Sequence, residues 1–197
     1  MKKHLSALWS LLLKPSAWIF LGAGALIGFA VFGIGSAAMQ YTMTQDFCTS
    51  CHEMRDNVYA EYKDSIHDSN RTGVRAICAD CHVPREPVDK WIRKVKALGE
   101  LYQHFVVGKI DTREKFEAHR AELAKKVWTR MKETDSRECR HCHNEQKMSA
   151  ELQSEKAQHR HQKGREEGLT CIECHYGIAH TEPEGEGPRE LNVKRTQ

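Results

Sequence analysis

The chain has 197 residues, a formal charge of +3 and a mean hydropathy of −0.65. That length allows one domain or two small ones, and Lys plus Arg balance Asp plus Glu at 30 to 27, leaving no basic footprint for a nucleic-acid partner. The average is polar although one long run is wholly apolar, so the rest of the chain is short of apolar segments with which to build a side-chain core.

Residues 16–39, SAWIFLGAGALIGFAVFGIGSAAM, carry no charge. At roughly 1.5 Å per residue they suffice as a helix to cross about 30 Å of hydrocarbon. Lys2, Lys3 and Lys14 precede the run and Asp46 follows it. The positive-inside bias puts residues 1–15 in the cytoplasm and everything after residue 39 outside, in the periplasm of a bacterial inner membrane. The stretch LSALWSLLLK, just ahead of Pro15, reads as an interfacial turn or two. A cleaved signal peptide ending near GSAAMQ is the competing reading, but the run exceeds an h-region of about 7–15 residues, which favours an uncleaved single-pass anchor. Gly24 and Gly28 form a GxxxG, which either packs on another helix, as in a homo-oligomer, or marks a glycine-tolerant span.

CTSCH at Cys48–His52 is the first of four CxxCH motifs. CADCH follows at Cys78–His82, CRHCH at Cys139–His143 and CIECH at Cys171–His175. The chain has eight cysteines, and the motifs use Cys48, Cys51, Cys78, Cys81, Cys139, Cys142, Cys171 and Cys174, all of them. One CxxC is compatible with half a zinc site or a redox dithiol. Four, each backed by a histidine and with no cysteine left over, indicate c-type haem attachment. Two thiols one turn apart each form a thioether to a haem vinyl, and the next residue offers its imidazole to the iron. A disulfide scaffold has no reason to space its cysteines as four tight pairs. Four covalent haems are therefore expected to form the core of a mainly α domain over residues 40–181, and folding is expected to require their attachment.

The motifs group in pairs, Cys48 with Cys78 and Cys139 with Cys171, separated by a longer stretch. Each pair holds a histidine partway along, His67 in one and His159 or His161 in the other, followed by a basic, glycine-containing turn (SNRTGVRA, KGREEGLT). This reads as two dihaem halves from an internal duplication. Between them Trp91, Val95, Leu98, Tyr102 and Phe105 recur at helical spacing, with Lys90, Arg93, Lys94 and Lys96 in the first turns. Such a basic amphipathic helix lies on membrane lipid or packs on haem edges with its charges solvated. A second helix is expected over 112–134, with Thr112 as N-cap. The tail, residues 182–197, reads as disordered from its composition.

His52, His82, His143 and His175 are the proximal candidates, and low-spin haems need a second strong ligand each. His4 falls on the cytoplasmic side, His141 lies inside its own motif loop, and His104 and His119 read as surface residues of helices. His67, His180 and one of His159 and His161 remain. Three distal histidines for four irons predict one haem open to small molecules.

Beyond the motifs, CHEMRDNVYAEY, SNRTGVRAICADCHVP, IRKVKALGELY, KFEAHR, ECRHCHN and TCIECHYGIAH resemble the NapC/NirT family of membrane-anchored tetrahaem quinol dehydrogenases, nearest its NapC branch, which feeds periplasmic nitrate reductase. The resemblance covers almost the whole chain. It implies His67 opposite His143 on the third haem, His161 opposite His175 on the fourth, and His180 opposite His82 on the second. It implies Met54 on the first iron in place of His52, with His52 the alternative. It also implies Lys94 at a quinol site, where it would stabilise a developing anion, and Glu100 as a nearby proton acceptor. The substrate would be a membrane quinol, menaquinol or ubiquinol, and the acceptor a periplasmic reductase or its cytochrome subunit. A nitrite or hydroxylamine reductase at the open haem, or a passive wire between cytochromes, are the rival readings.

Overall fold

Pro15 opens the first helix, α1 (Pro15–Tyr41), at the position where its missing N–H has no intrahelical partner to lose. The computed structural model describes residues 14–195, so Lys2, Lys3, His4 and most of LSALWSLLLK lie outside the described residues. The Thr42 hydroxyl ends α1 by donating to Met39 O at 2.9 Å. Among the described residues α1, 27 residues long, is the helix long and apolar enough to cross a membrane, and its apolar stretch is not buried against the rest of the chain. It is slightly longer than the apolar run because Gln40 and Tyr41 continue the turn. The chain divides into two compact units, α1 lying in the first, which ends at Met43, and everything from Thr44 forming the second.

The second unit is mainly helical, with no strand among the described residues. Thr44 Oγ1 accepts from Phe47 N at 3.2 Å and starts α2 (Gln45–Cys48). A π-helical segment, Met54–Tyr59, leads into α3 (Ala60–Tyr62). In α4 (Cys78–His82) the Asp80 carboxylate accepts from Ile77 N at 2.9 Å and caps the start. Pro87 opens α5 (Pro87–Tyr102), which widens into a π turn over Gln103–Val107 and stops at Gly108, whose φ of 63° is cheap only for glycine. The Trp91, Val95, Leu98, Tyr102 and Phe105 stripe of α5 and its π turn is exposed. Thr112 Oγ1 accepts from Lys115 N and caps α6 (Arg113–Glu133), which ends at Thr134 as its pattern predicts. Asp135 and Ser136 then both take left-handed φ values of 51°, turning the chain sharply into α7 (Arg137–Arg140). Ser154 caps α8 (Glu155–Glu166).

The apolar core is small. Trp128 and Met131 of α6 pack with Ile172 and Leu191, and Tyr176 stacks edge-on against Trp128. This cluster corrects the expectation of a disordered tail. Pro188 is fully buried, Pro188–Glu190 form a short 3₁₀ turn, and Leu191 belongs to the core. Lys132 Nζ donates to Leu191 O at 2.8 Å and to Pro188 O and Arg189 O at 3.2 Å, and pairs with Glu173 at 2.8 Å. Composition missed the docking because it averages three apolar residues into a Gly- and Glu-rich stretch, and because the partner ammonium comes from a distant helix.

Candidate haem sites

In the second, third and fourth motifs a helical turn gathers the two thiols and the imidazole. Cys78–His82 is the whole of α4, His143 N donates to Cys139 O at 2.8 Å, and His175 N donates to Cys171 O at 2.9 Å. All eight cysteines are free of disulfides. Among the described residues no three His, Cys, Asp or Glu side chains converge as a bare zinc ion would require.

The motifs are linked in sequence order. Cys78 N donates to Gln45 Oε1 at 3.1 Å, joining the helix that enters the first motif to the second. Helix α4 packs on α7, with Cys81 within electrostatic reach of Cys142, joining the second to the third. Ile172 N donates to Ser136 Oγ at 3.0 Å, joining the turn before the third motif to the fourth. Ser136 is completely buried there, which explains why its strained backbone is retained.

The histidines form facing pairs. Ring centres lie 6.1 Å apart for His67 and His143, 6.2 Å for His82 and His180, and 6.1 Å for His161 and His175. Two imidazoles bound to opposite sides of one first-row metal, at roughly 2.0–2.1 Å each and about 1.2 Å from nitrogen to ring centre, are separated by about 6.4 Å. The donor set therefore fits a haem iron in each gap. Burial also holds His67, His175 and His180 below the usual imidazole range and pushes His82 down to about 3, so these rings are neutral, the form a metal ligand needs. Two of the pairs join residues from different halves of the sequence, which ties the dihaem halves into one unit.

Two of the distal rings are held from behind. His180 Nδ1 meets Val58 O at 3.1 Å, and His161 Nδ1 meets Gln153 Oε1 at 2.8 Å, leaving Nε2 for a metal in both. Arg120 clamps the His180 segment. It donates to both oxygens of Glu61, at 2.5 and 3.0 Å, and to Thr181 O at 3.3 Å, while Glu61 Oε2 accepts from Thr181 N at 3.0 Å. Burial opposes ionisation of Glu61, yet the Arg120 guanidinium and the Thr181 N–H outweigh it and hold the carboxyl below its usual range. His159 is exposed on the same helix that carries His161.

The first motif departs from the sequence expectation. His104, read there as a surface residue, has a side chain only 18% exposed, and its ring centre lies 6.1 Å from that of His52. Its Nδ1 is 2.6 Å from Oε1 of the buried Glu53. Met54 is 41% exposed. Pattern reading missed His104 because an α-helical projection carried through residue 105 ignores the π turn that re-aims residue 104. Lys94 lies beside the same motif, with Nζ 5.9 Å from the Phe47 ring centre, and partial burial lowers its ammonium from the usual range. Glu100 is 63% exposed and bonded to Arg93 at 3.0 Å.

Comparison with known proteins agrees with this donor chemistry. The NapC/NirT cytochrome c family, N-terminal region, matches residues 12–185. The chain is 50% identical over 188 residues, 93% of either chain, to the denitrification system component NirT of Stutzerimonas stutzeri. It is 50% identical over 181 residues, 90% of either chain, to the cytochrome c-type protein NapC of Escherichia coli K12. With the Paracoccus pantotrophus cytochrome c-type protein NapC it shares 45% identity over 184 residues, 91% of this chain and 77% of the relative. No solved structure matches. A family match spanning nearly the whole chain and four thiol pairs, each backed by an imidazole, converge on one conclusion: the chain belongs to the NapC/NirT cytochrome c family.

Proposed function

We propose that this protein is a single-pass, membrane-anchored tetrahaem cytochrome that oxidises a membrane quinol on the periplasmic side and delivers the electrons to a periplasmic reductase, the nitrate reductase system first among them. The observation that carries this reading is the unbroken linkage of the four motifs, beginning beside Lys94 and ending at Cys171–His175. When bound, the haems supply four one-electron centres; Cys48, Cys51, Cys78, Cys81, Cys139, Cys142, Cys171 and Cys174 would hold them, with His143 and His67, His82 and His180, and His175 and His161 as axial pairs.

The chain's own residues account for the quinol side. Lys94, partly desolvated near Phe47, would hydrogen-bond a quinol oxygen and favour its anionic form. Glu100, exposed and bonded to Arg93, would accept the released proton and pass it to solvent. The exposed apolar stripe of α5, with Lys90, Arg93, Lys94 and Lys96 around it, suits an anionic lipid surface where quinol is dissolved.

The test is an anaerobic mix of purified holoprotein with menaquinol or ubiquinol, followed by haem absorbance. Lys94→Ala is expected to slow reduction by quinol at least tenfold while dithionite still reduces every haem. Lys90→Ala, on the rim, is expected to lose only about 1 kcal/mol of surface attraction. Equal quinol rates in Lys94→Ala and the parent would move the quinol site elsewhere, and no reduction by either quinol in the parent would defeat the proposal.

A further inference from the structure

We infer that His104 is the sixth ligand of the first haem, opposite His52, so that all four irons are bound by two imidazoles and none is open. This rests on the reading of the four motifs as haem sites and replaces the Met54 ligation and the open haem that the sequence implied. Three observations carry it.

The first is metric. The His52 and His104 ring centres are 6.1 Å apart, against 6.1, 6.2 and 6.1 Å for the three other pairs. A separation common to all four pairs, in unrelated local structures, is what one shared central group imposes.

The second is the backbone. Helix α5 widens at Gln103–Val107 into a π turn closed by Gly108. One extra residue in a turn rotates the residues that follow relative to an α-helical projection. Phe105, Val106 and Val107 stay exposed, Phe105 at 73%, while His104 is turned in. A π turn is a poorer helix than the α-helix it interrupts, so its presence at this histidine needs a compensating interaction, and an iron–imidazole bond is one.

The third is the group behind the ring. Glu53 has a side chain 5% exposed, and its Oε1 is 2.6 Å from His104 Nδ1. Asn57 Nδ2 holds the Glu53 carbonyl at 2.9 Å. A carboxylate close to one ring nitrogen is a usual arrangement behind a metal-bound histidine and leaves the other nitrogen for the metal; Oε2 of the same carboxylate lies 3.6 Å from His52 Nε2. Val58 O and Gln153 Oε1 lie beside the same nitrogen, Nδ1, of His180 and His161, as hydrogen bonds of 3.1 and 2.8 Å. Met54 has no comparable placement, being exposed at the start of its own π segment.

The consequence for function is that reductants and substrates meet the edge of the first haem and not its iron. A small-molecule reductase working by inner-sphere binding at that iron is then disfavoured, and electron entry from quinol is outer-sphere.

The experiment reads ligation directly, by EPR and near-infrared magnetic circular dichroism of the oxidised full-length holoprotein. The expected result is four low-spin haems with the bis-imidazole charge-transfer band and no His–Met band. His104→Ala is expected to convert one haem in four to high spin, and added imidazole to return it to low spin; Met54→Ala is expected to leave four low-spin haems. A parent protein with one high-spin haem or a His–Met band overturns the inference, as does conversion by Met54→Ala but not by His104→Ala. The parent's spectra decide the matter even where His104→Ala does not accumulate. Ligation is read without quinol, so a parent that shows four bis-imidazole haems supports the inference even if no quinol reduces it.

Discussion

At the scale of single residues, α8 offers a clean contrast. His161 faces His175 with its Nδ1 tied to Gln153, and His159, two residues away, is exposed. His161→Ala is expected to convert one haem to high spin, and His159→Ala to leave the spectra unchanged; EPR of the two purified variants checks it. Conversion by His159→Ala instead would mean that α8 presents its other face to the haem. The sequence narrowed the choice to these two because both lie a similar distance before the fourth motif. Spacing could not decide between them, since they sit about 200° apart around a helix and which side faces inward is set by what packs there; the family resemblance implied His161. His104 shows the opposite case: its role depends on a π turn that has no reliable sequence signature.

At the scale of elements, two buried ion networks hold segments that lack enough apolar surface to pack on their own. Arg120 of α6 joins Glu61 and Thr181, fixing the strand of chain that carries His180. Arg120→Leu is expected to cost roughly 2 kcal/mol, as it strips a half-buried carboxylate of its charged partner. The pH dependence follows from the sign. Glu61 is held below its usual range in the folded protein, so its contribution is present above its unfolded value of about 4.3 and is lost as pH falls through the lower folded value. Thermal melting followed by haem absorbance from pH 6 to pH 3 is expected to show a steeper acid loss for the parent than for Arg120→Leu; parallel curves would remove Glu61 from the account. The second network anchors the tail. Lys132→Met leaves the buried Glu173 carboxylate and three carbonyls without their donor, a loss of roughly 3–5 kcal/mol for a broken buried pair. Limited proteolysis is expected to cut residues 184–195 readily in that variant and slowly in the parent, and unchanged cleavage would mean the tail is held by Pro188 and Leu191 alone.

At the scale of the whole molecule, the described residues bury little apolar surface. Among the described residues eight hydrophobic side chains are buried, from Tyr62 to Leu191. Four haems would add the missing apolar volume and bridge histidines that are distant in sequence, so their attachment is expected to be coupled to folding. Expression without haem attachment is expected to yield a degraded or unfolded chain, checked by circular dichroism and by protease resistance; a stable, protease-resistant apo-protein would refute it. The haems also change the charge. Each brings about −2 from its propionates and about +1 from a ferric bis-imidazole iron, so four would move the formal +3 to about −1. Lys90, Arg93, Lys94 and Lys96 then stand on a nearly neutral body, which concentrates the attraction to anionic lipid on α5.

The sequence by itself determined the chemistry. Four CxxCH motifs and one uncharged span are local patterns, each complete within a few residues or a single helix, so cofactor class, membrane span and family were readable without a fold. The α6 boundaries were readable for the same reason, because Thr112 and its capping contact are local. Tertiary structure decided the pairings made across long separations. Which histidine faces which depends on how α4, α6, α7 and the 180–181 segment meet; spacing along the chain carries no record of that, and three of the facing pairs were legible only through the family resemblance. The π turn that brings His104 to His52 and the burial of Lys132 against the tail are likewise outcomes of packing. Both place polar groups where composition predicts solvent, because a buried partner from another part of the chain offsets the cost of leaving water.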